Sequence, residues 1–180
     1  MALSKITNGG VAASGIPSGG IIQVQRTQIT TDSTLSLSAA TDTVVTGFTV
    51  NITPTSTSSI IKCEAMWMGE FGDDVPNSYN HLFFFYRDTT KLGYTAASGS
   101  RNTGVVPATR TIDTENSGTS PQTAYLSFFD SPSSVSQITY KLGVSAELAD
   151  TLYINRTVNA ADNFNQERGT SFICVTEIAG

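Results

Sequence analysis

The chain has 180 residues, of which 39% are hydrophobic, which is enough for one domain with a sizeable core. Only 14% are charged, against about a quarter in most soluble proteins, so hydroxyls and amides must keep its surface in water, as in β-rich extracellular or virion proteins. Ten Lys and Arg, spread along the chain, against fifteen Asp and Glu give a net charge of −5, which argues against nucleic-acid binding.

Residues 1–20 are rich in Gly, Ser and Ala, with a single Pro. Such a stretch has too little apolar surface to offset the entropy of ordering it, so we expect a flexible arm that orders only when another surface holds it. A frayed terminus with no role is the alternative. No apolar core of a secretory leader is present, and no run reaches the ~20 apolar residues that span a bilayer, so neither secretion by a leader nor a membrane partner is expected.

The residue pattern changes at Ile21, where β-branched and apolar residues begin to alternate with polar ones. "IIQVQRTQI" and "TVVTGFTVNIT" predict the first strands, the second with Phe48, Val50 and Ile52 on one face. After the break at Pro54, "IIKCEAMWM" predicts another strand, whose inward residues run from Ile61 to Trp67 at a period of two.

The second half repeats this pattern in "QTAYLSFFD", "QITYKLGVSAE", "TLYINRT" and "SFICVTEIAG". No segment shows apolar residues at helical spacing over three turns. About eight to ten short strands separated by Ser, Gly or Pro predict an all-β, antiparallel β-sandwich over residues 21–180, with a jelly roll as the favoured form.

Two cysteines, Cys63 and Cys174, lie in predicted strands. Free Cys is among the residues most often buried, so two reduced core thiols are expected, and a disulfide between neighbouring strands is the alternative.

Five large apolar residues stand together in "LFFFY", from Leu82 to Tyr86. If Phe83 and Phe85 face the interior, Leu82, Phe84 and Tyr86 point outward, and leaving them in water forgoes about 1.5–3 kcal/mol each. The total is comparable to the net stability of a domain, so another surface should cover them. A loop of the same chain or a neighbouring copy would do so. We favour a symmetric oligomer with these three residues at its interface.

Several segments together resemble small β-sandwich (jelly-roll) virion proteins and fibre domains of tailed bacteriophages, especially marine phages. They include "MALSKITNGG", "IPSGGIIQVQRT", "TVNITPTSTSSIIKCEAMW", "AYLSFFDSPSSVSQITYKLGV" and "TLYINRT". The ending of the last strand, "hydrophobic-Glu-Ile" in that family, is matched by Thr176, Glu177 and Ile178. The likeness covers nearly the whole chain and is carried by spacing and turn composition.

The resemblance implies a non-enzymatic virion structural protein, commonly a trimer, whose arm binds other virion proteins such as major capsid or tail proteins. The apolar residues of the arm would be the anchor: Leu3, Ile6, Val11 and Ile16. Unlike ordinary tail fibres, the chain has no long stalk, heptads or collagen-like repeat. A capsid decoration (cement) protein or a short appendage is therefore expected, and a head- or tail-fibre tip that recognises a host receptor is the alternative.

Catalytic and metal-binding patterns are weak throughout the sequence. The single histidine, His81, has no Cys–His spacing for zinc and is expected to be a polar residue at a strand edge. No GxSxG nucleophile motif is present, and the adjacent Asp73 and Asp74 cannot face each other across a sugar. Calcium at these residues or in "DTEN", residues 113–116, is a minor alternative. We expect no catalytic residue, metal or cofactor.

Two long loops, residues 97–121 and 157–170, are available as contact surfaces, and the first is expected to carry one short strand around Val105. The second contains a candidate glycan site, with Phe164 to stack on a sugar ring and polar partners around it: Asp162, Asn163, Asn165 and Gln166. Such a glycan site is only an analogy, and a Phe164 side chain turned back to pin the loop is the interpretation that we favour.

Overall fold

A computed structural model describes residues 15–72, 80–93, 99–108, 121–164 and 166–180. Within these ranges the chain forms eleven β-strands: β1 (Ile21–Ile29), β2 (Ser33–Leu37), β3 (Thr43–Ile52), β4 (Ile60–Phe71), β5 (His81–Arg87), β6 (Thr90–Leu92), β7 (Val106–Pro107), β8 (Gln122–Asp130), β9 (Ile138–Ala146), β10 (Asp150–Ile154) and β11 (Ser171–Ile178). The short strand expected around Val105 is β7.

The strands form a six-stranded and a five-stranded antiparallel sheet packed face to face, which confirms the predicted β-sandwich. Eight strands pair in nested fashion along the chain: β1 with β11, β3 with β9, β4 with β8, and β5 with β6. A long hairpin rolled up in this way, with alternate pairs in opposite sheets, is a jelly roll.

Strand β4 is the centre of the six-stranded sheet. On one side it pairs with β11 over Ile60–Met66 and then with β10 over Gly69–Phe71, so β11 and β10 lie end to end. On its other side β4 pairs with β8 over nine residues, from Ile61 to Gly69. Among the described residues β8 has no second strand partner, so it is an edge of this sheet.

The core lies between the sheets and uses the inward residues that the alternation predicts. Phe48, Val50 and Ile52 are buried, as are the inward residues of β4 from Ile61 to Trp67. The Trp67 ring lies 5.3 Å from that of Phe83, so the aromatic residues of the two sheets meet at the centre.

The expectation that a second copy covers Phe84 is wrong, because the chain covers this side chain itself and leaves none of it exposed. Its ring lies over Gly143 on the neighbouring strand, where a Cβ would fall 2.3 Å from the ring. Lys91 Nζ lies 3.9 Å from the ring centroid, and Tyr86 meets the ring edge-on. A glycine in β9 and the β5–β6 hairpin thus provide the cover.

The other two outward residues of "LFFFY" are half-buried. Leu82 packs against Gly104, where a Cβ would lie 2.7 Å from its Cγ, and the adjacent Val105 amide donates to the Phe83 carbonyl over 2.9 Å. The loop of the same chain therefore covers part of this face. An interface through Leu82 and Tyr86 stays a prediction, but the energetic argument that required one no longer applies.

Both cysteines are free thiols, as expected. Cys63 is fully buried between the sheets, and this burial raises its thiol pKa well above the usual value. Cys174 is only half-buried and pairs in register with Glu64 on the outer face, so its assignment to the core is wrong. The two thiols point to opposite faces of the sheet, which explains why no disulfide forms.

Candidate interaction sites

The sandwich has two ends that differ in composition. One, the arm end, contains Gly20, Gly180 and the loops of residues 53–59 and 131–137. The other, the loop end, contains the turns of residues 30–32, 38–42 and 147–149. The twelve residues of β4 separate the two ends by roughly 35 Å.

At the arm end the N-terminal segment is tied to the last strand. The Gly19 amide donates to the Ala179 carbonyl over 2.7 Å, and the Ala179 amide donates to the Gly20 carbonyl over 2.9 Å. These bonds extend the β1–β11 ladder, so residues 19–20 of the predicted arm belong to the sandwich. Of the predicted anchors, Ile16 is half-buried in a cleft with Thr55, Ser58 and Gly180. Leu3, Ile6 and Val11 lie outside the described residues.

Glu177 holds the arm end together. It is fully buried, and one carboxylate oxygen accepts bonds from the Thr55 amide at 2.6 Å, the Thr55 hydroxyl at 2.7 Å and the Ser59 hydroxyl at 2.6 Å. Gln23 Nε2 donates to the other oxygen over 2.7 Å. Burial acts to raise the pKa of Glu177, but the hydrogen bonds from Ser59, Gln23 and Thr55 outweigh it and lower that pKa. The carboxylate thereby fixes the loop beside the arm to the last strand.

The loop of residues 155–170 leaves the six-stranded sheet between β10 and β11, near the loop end. Asn155 adopts φ 59°, a left-handed conformation that Asn tolerates. Its Nδ2 donates to the Ile29 carbonyl over 2.8 Å and to the Thr31 carbonyl over 2.9 Å, while its Oδ1 accepts from Ser171. The base of the loop is therefore rigidly attached to the β1–β2 turn.

Phe164, the centre of the predicted glycan site, is completely exposed at 103% of its reference area. The favoured expectation that it turns back to pin the loop is therefore wrong. Asp162 is exposed, and the Gln166 amide donates to the Asn163 carbonyl over 3.2 Å in a tight turn. Asn165 lies outside the described residues. Phe164 thus has the exposure that a stacking residue needs, on a loop whose base is fixed.

A second cleft at the loop end was not found by sequence reasoning. It lies against the outer face of the five-stranded sheet and is lined by Asp42, Asn80, Asn102, Ser145 and Glu147. Asn102 Nδ2 donates to the buried Ser145 hydroxyl over 2.6 Å, and Asn80 donates to Glu147. The residues come from four separate segments, so no local pattern could have shown that they meet.

His81 is not the strand-edge residue that the sequence suggested, because it is 1% exposed. Its Nε2 donates to Oδ2 of Asp150 over 2.8 Å, and its ring stacks on Phe71 at 3.7 Å between centroids. Nδ1 has no hydrogen-bond partner within the described residues. The pair links β5 of one sheet to β10 of the other.

No group of three or more His, Cys, Asp or Glu side chains within the described ranges is placed to hold a metal ion. The weak calcium candidates, Asp73 with Asp74 and residues 113–116, lie outside those ranges.

The outer face of the six-stranded sheet carries large apolar side chains. Tyr125 and Phe129 on β8 are 53% and 59% exposed, and Val24 on β1 is 51% exposed. Between them lie half-buried apolar residues, Met66 on β4 and Phe172 on β11 among them. Charge on this face is partly cancelled, since Lys62 pairs with Glu64 at 2.8 Å and Tyr125 donates to Glu64. Exposed aromatic side chains on this face therefore lie on β8, whereas the outward residues of "LFFFY" are buried or half-buried.

Across the parts of the chain that the structure describes, there is no helix long and apolar enough to cross a membrane. No family model matches the chain, and none of the curated proteins matches its sequence.

Proposed function

We propose that the chain is a non-enzymatic structural protein of a tailed-phage virion, held to the particle through its N-terminal arm and assembled from several copies. A capsid decoration protein or a short appendage is the form that suits a single compact sandwich. The sequence resemblance motivates the assignment, and the arrangement of the two ends supports it.

The observation that carries the proposal is the position of the arm. Residues 19–20 are fixed beside Ala179 at one end, and the second cleft lies at the other end. The base of the 155–170 loop lies beside Met68, about 27 Å along β4 from the arm end. A segment that leaves from one end can bind a particle without obstructing the other. An arm that orders on contact covers much surface per residue, and several arms on one oligomer add avidity.

Deletion of residues 1–14 tests the anchoring role. The hydrogen bonds of Gly19 and Gly20 remain in this variant, so its melting temperature should match that of the full chain. We expect the truncated protein to be lost from purified virions while the full-length protein is incorporated. Normal incorporation of the truncated protein would exclude the arm as the anchor.

The exposure of Phe164 favours a second candidate, a tip that recognises a host-surface glycan. An aromatic ring entirely in water is free to stack on a sugar, with Asp162 and Gln166 nearby in the same loop. We expect Phe164→Ala to lower adhesion of the purified protein to host cells at least about tenfold. Val135→Ala, which removes a 52% exposed residue at the arm end, is the matched control and should adhere normally. Full adhesion by Phe164→Ala would remove this candidate.

A further inference from the structure

We propose that β8 is the edge through which two copies of this chain associate, by antiparallel pairing of β8 with β8 of the second copy. The inference rests on the proposed function and identifies the first partner of the subunit as another subunit. It would join two six-stranded sheets into one continuous sheet.

One side of β8 has backbone groups without a strand partner among the described residues. β8 runs for nine residues, and among the described residues it pairs only with β4. Proteins usually protect such an edge with Lys, Pro, a bulge or a very short strand. The exposed side chains of β8 are instead uncharged: Thr123, Tyr125, Ser127 and Phe129.

The opposite edge of the same sheet differs. β1 carries the exposed Arg26, and the Thr27 hydroxyl donates to the Thr49 carbonyl of β3 over 2.7 Å, which closes that side of the sandwich. The remaining edge strand, β2, has only five residues, and a very short edge strand is itself a form of protection. β8 is therefore the long open edge of this sheet.

The gap between the two sheets beside β8 is also lined by apolar side chains. Phe128, Val105 and Val106 are partly buried and pack against the core where β8 approaches β7 of the other sheet. A strand added to β8 would therefore satisfy its free backbone groups and cover apolar side chains on both faces.

A second copy fits this edge because an antiparallel strand pair is self-complementary under a twofold axis. With the axis at Ser127, Tyr125 lies opposite Phe129 of the second copy, and Leu126 lies opposite its Phe128. Each exposed aromatic side chain on the outer face of β8 then lies opposite an aromatic side chain of the second copy. No like charges meet, since Asp130, already bound to Arg87 at 2.9 Å, would face Ala124.

The area is sufficient for a specific contact. The edge of the sandwich at β8 is about 30 Å long, because nine extended residues span that length. It is about 20 Å thick, because the two sheets lie about 10 Å apart and carry side chains on their outer faces. The product is about 600 Å² on each copy, or about 1,200 Å² in total, which is the lower end of the range for stable interfaces.

The native mass of the full chain is the first test. A twofold contact predicts twice the chain mass of 19.1 kDa at micromolar concentration. The trimer implied by the resemblance would give three times that mass, and it would overturn the twofold pairing. A mass equal to one chain would show that β8 is free or is covered by its own chain, and would overturn the proposal too.

Cysteine cross-linking tests the register. In a Cys174→Ser background, where the remaining Cys63 is fully buried, Ser127→Cys places two thiols at the axis and should give a disulfide dimer on oxidation. Thr123→Cys, on the same strand and face, is the matched control. Its thiols would lie about 27 Å apart along the strand and should stay unlinked. Equal cross-linking of the two variants, or none of Ser127→Cys, would contradict the register.

A lysine introduced on β8 tests whether this strand contributes to the free energy of association. Phe129→Lys should weaken association at least about tenfold, while Val24→Lys, at a similarly exposed position on β1, should leave the native mass unchanged. Equal effects of the two lysines would overturn the assignment to β8. Virion incorporation is a separate measurement, so a native mass of one chain together with normal incorporation would contradict this inference and leave the proposed function standing.

Discussion

Gly143 explains how the Phe84 side chain, which points away from the core, is kept out of water. The Phe84 ring occupies the space that a side chain at position 143 would fill, and it is thereby shielded from water. A glycine inside a strand often marks such a close approach. "KLGV" contains this signal, but only the register of Phe84 with Gly143 shows which ring uses the gap.

We expect Gly143→Ala to destabilise the fold by about 1–3 kcal/mol, because the new methyl group would overlap a ring that is held on three sides. Urea unfolding of the single variants and of the Gly143→Ala/Phe84→Leu double variant measures this. The smaller side chain should recover part of the loss. If the two changes were simply additive, the packing explanation would be wrong.

Glu177 makes the stability depend on pH. Its pKa is lowered in the folded chain, whereas an unfolded Glu titrates near about 4.3. Its contribution is therefore complete above about pH 5 and is lost as the pH falls through the folded pKa. Thermal unfolding between about pH 7 and pH 3 should show a falling melting temperature.

The Glu177→Gln variant should lose about 2–4 kcal/mol near neutral pH, because its amide faces donors that have lost their charged acceptor. Its stability should vary less than that of the wild type across the acid range. Parallel pH curves for the two proteins would show that other carboxylates control the acid transition.

At the scale of the strands, period-two alternation predicted most of the fold. The inward faces of β3 and β4 are as expected, because one face of each strand packs on a core that the pattern reports directly. The short strands β2 and β6 were not predicted, since "STLSL" contains only two apolar residues and "TKL" only one. His81 was misplaced because its partner Asp150 is distant in sequence and belongs to the other sheet.

A partly buried ionic cluster joins the sheets beside the β8–β9 loop. Arg87 donates two hydrogen bonds to Asp130, at 2.9 Å and 3.0 Å, and the Tyr140 hydroxyl donates a third at 2.7 Å. Burial, together with the bond to Asp130, raises the pKa of Tyr140 far above its usual value, so the hydroxyl remains a donor.

We expect Asp130→Asn to cost about 3 kcal/mol, because it leaves the Arg87 charge partly buried without its partner. Replacing Arg87 with Met as well should restore part of the stability, and chemical denaturation of both variants provides the comparison. A double variant less stable than Asp130→Asn alone would contradict this account of the cluster.

At the scale of the whole molecule, the features of the sandwich are separated in space: the arm at one end, the 155–170 loop and a polar cleft toward the other, and an open apolar edge along β8. The sequence indicated the arm and the loop, because both are breaks in the strand pattern. It did not indicate the cleft or the open edge, which depend on how distant segments come together.

The copy number of the chain in purified virions, measured by quantitative mass spectrometry against the major capsid protein, tests the central claim most directly. A decoration protein should be present in hundreds of copies per particle, and an appendage tip in tens or fewer. Either result would agree with a structural subunit of the virion and would decide its position. Particles that contain none of the chain would contradict the account.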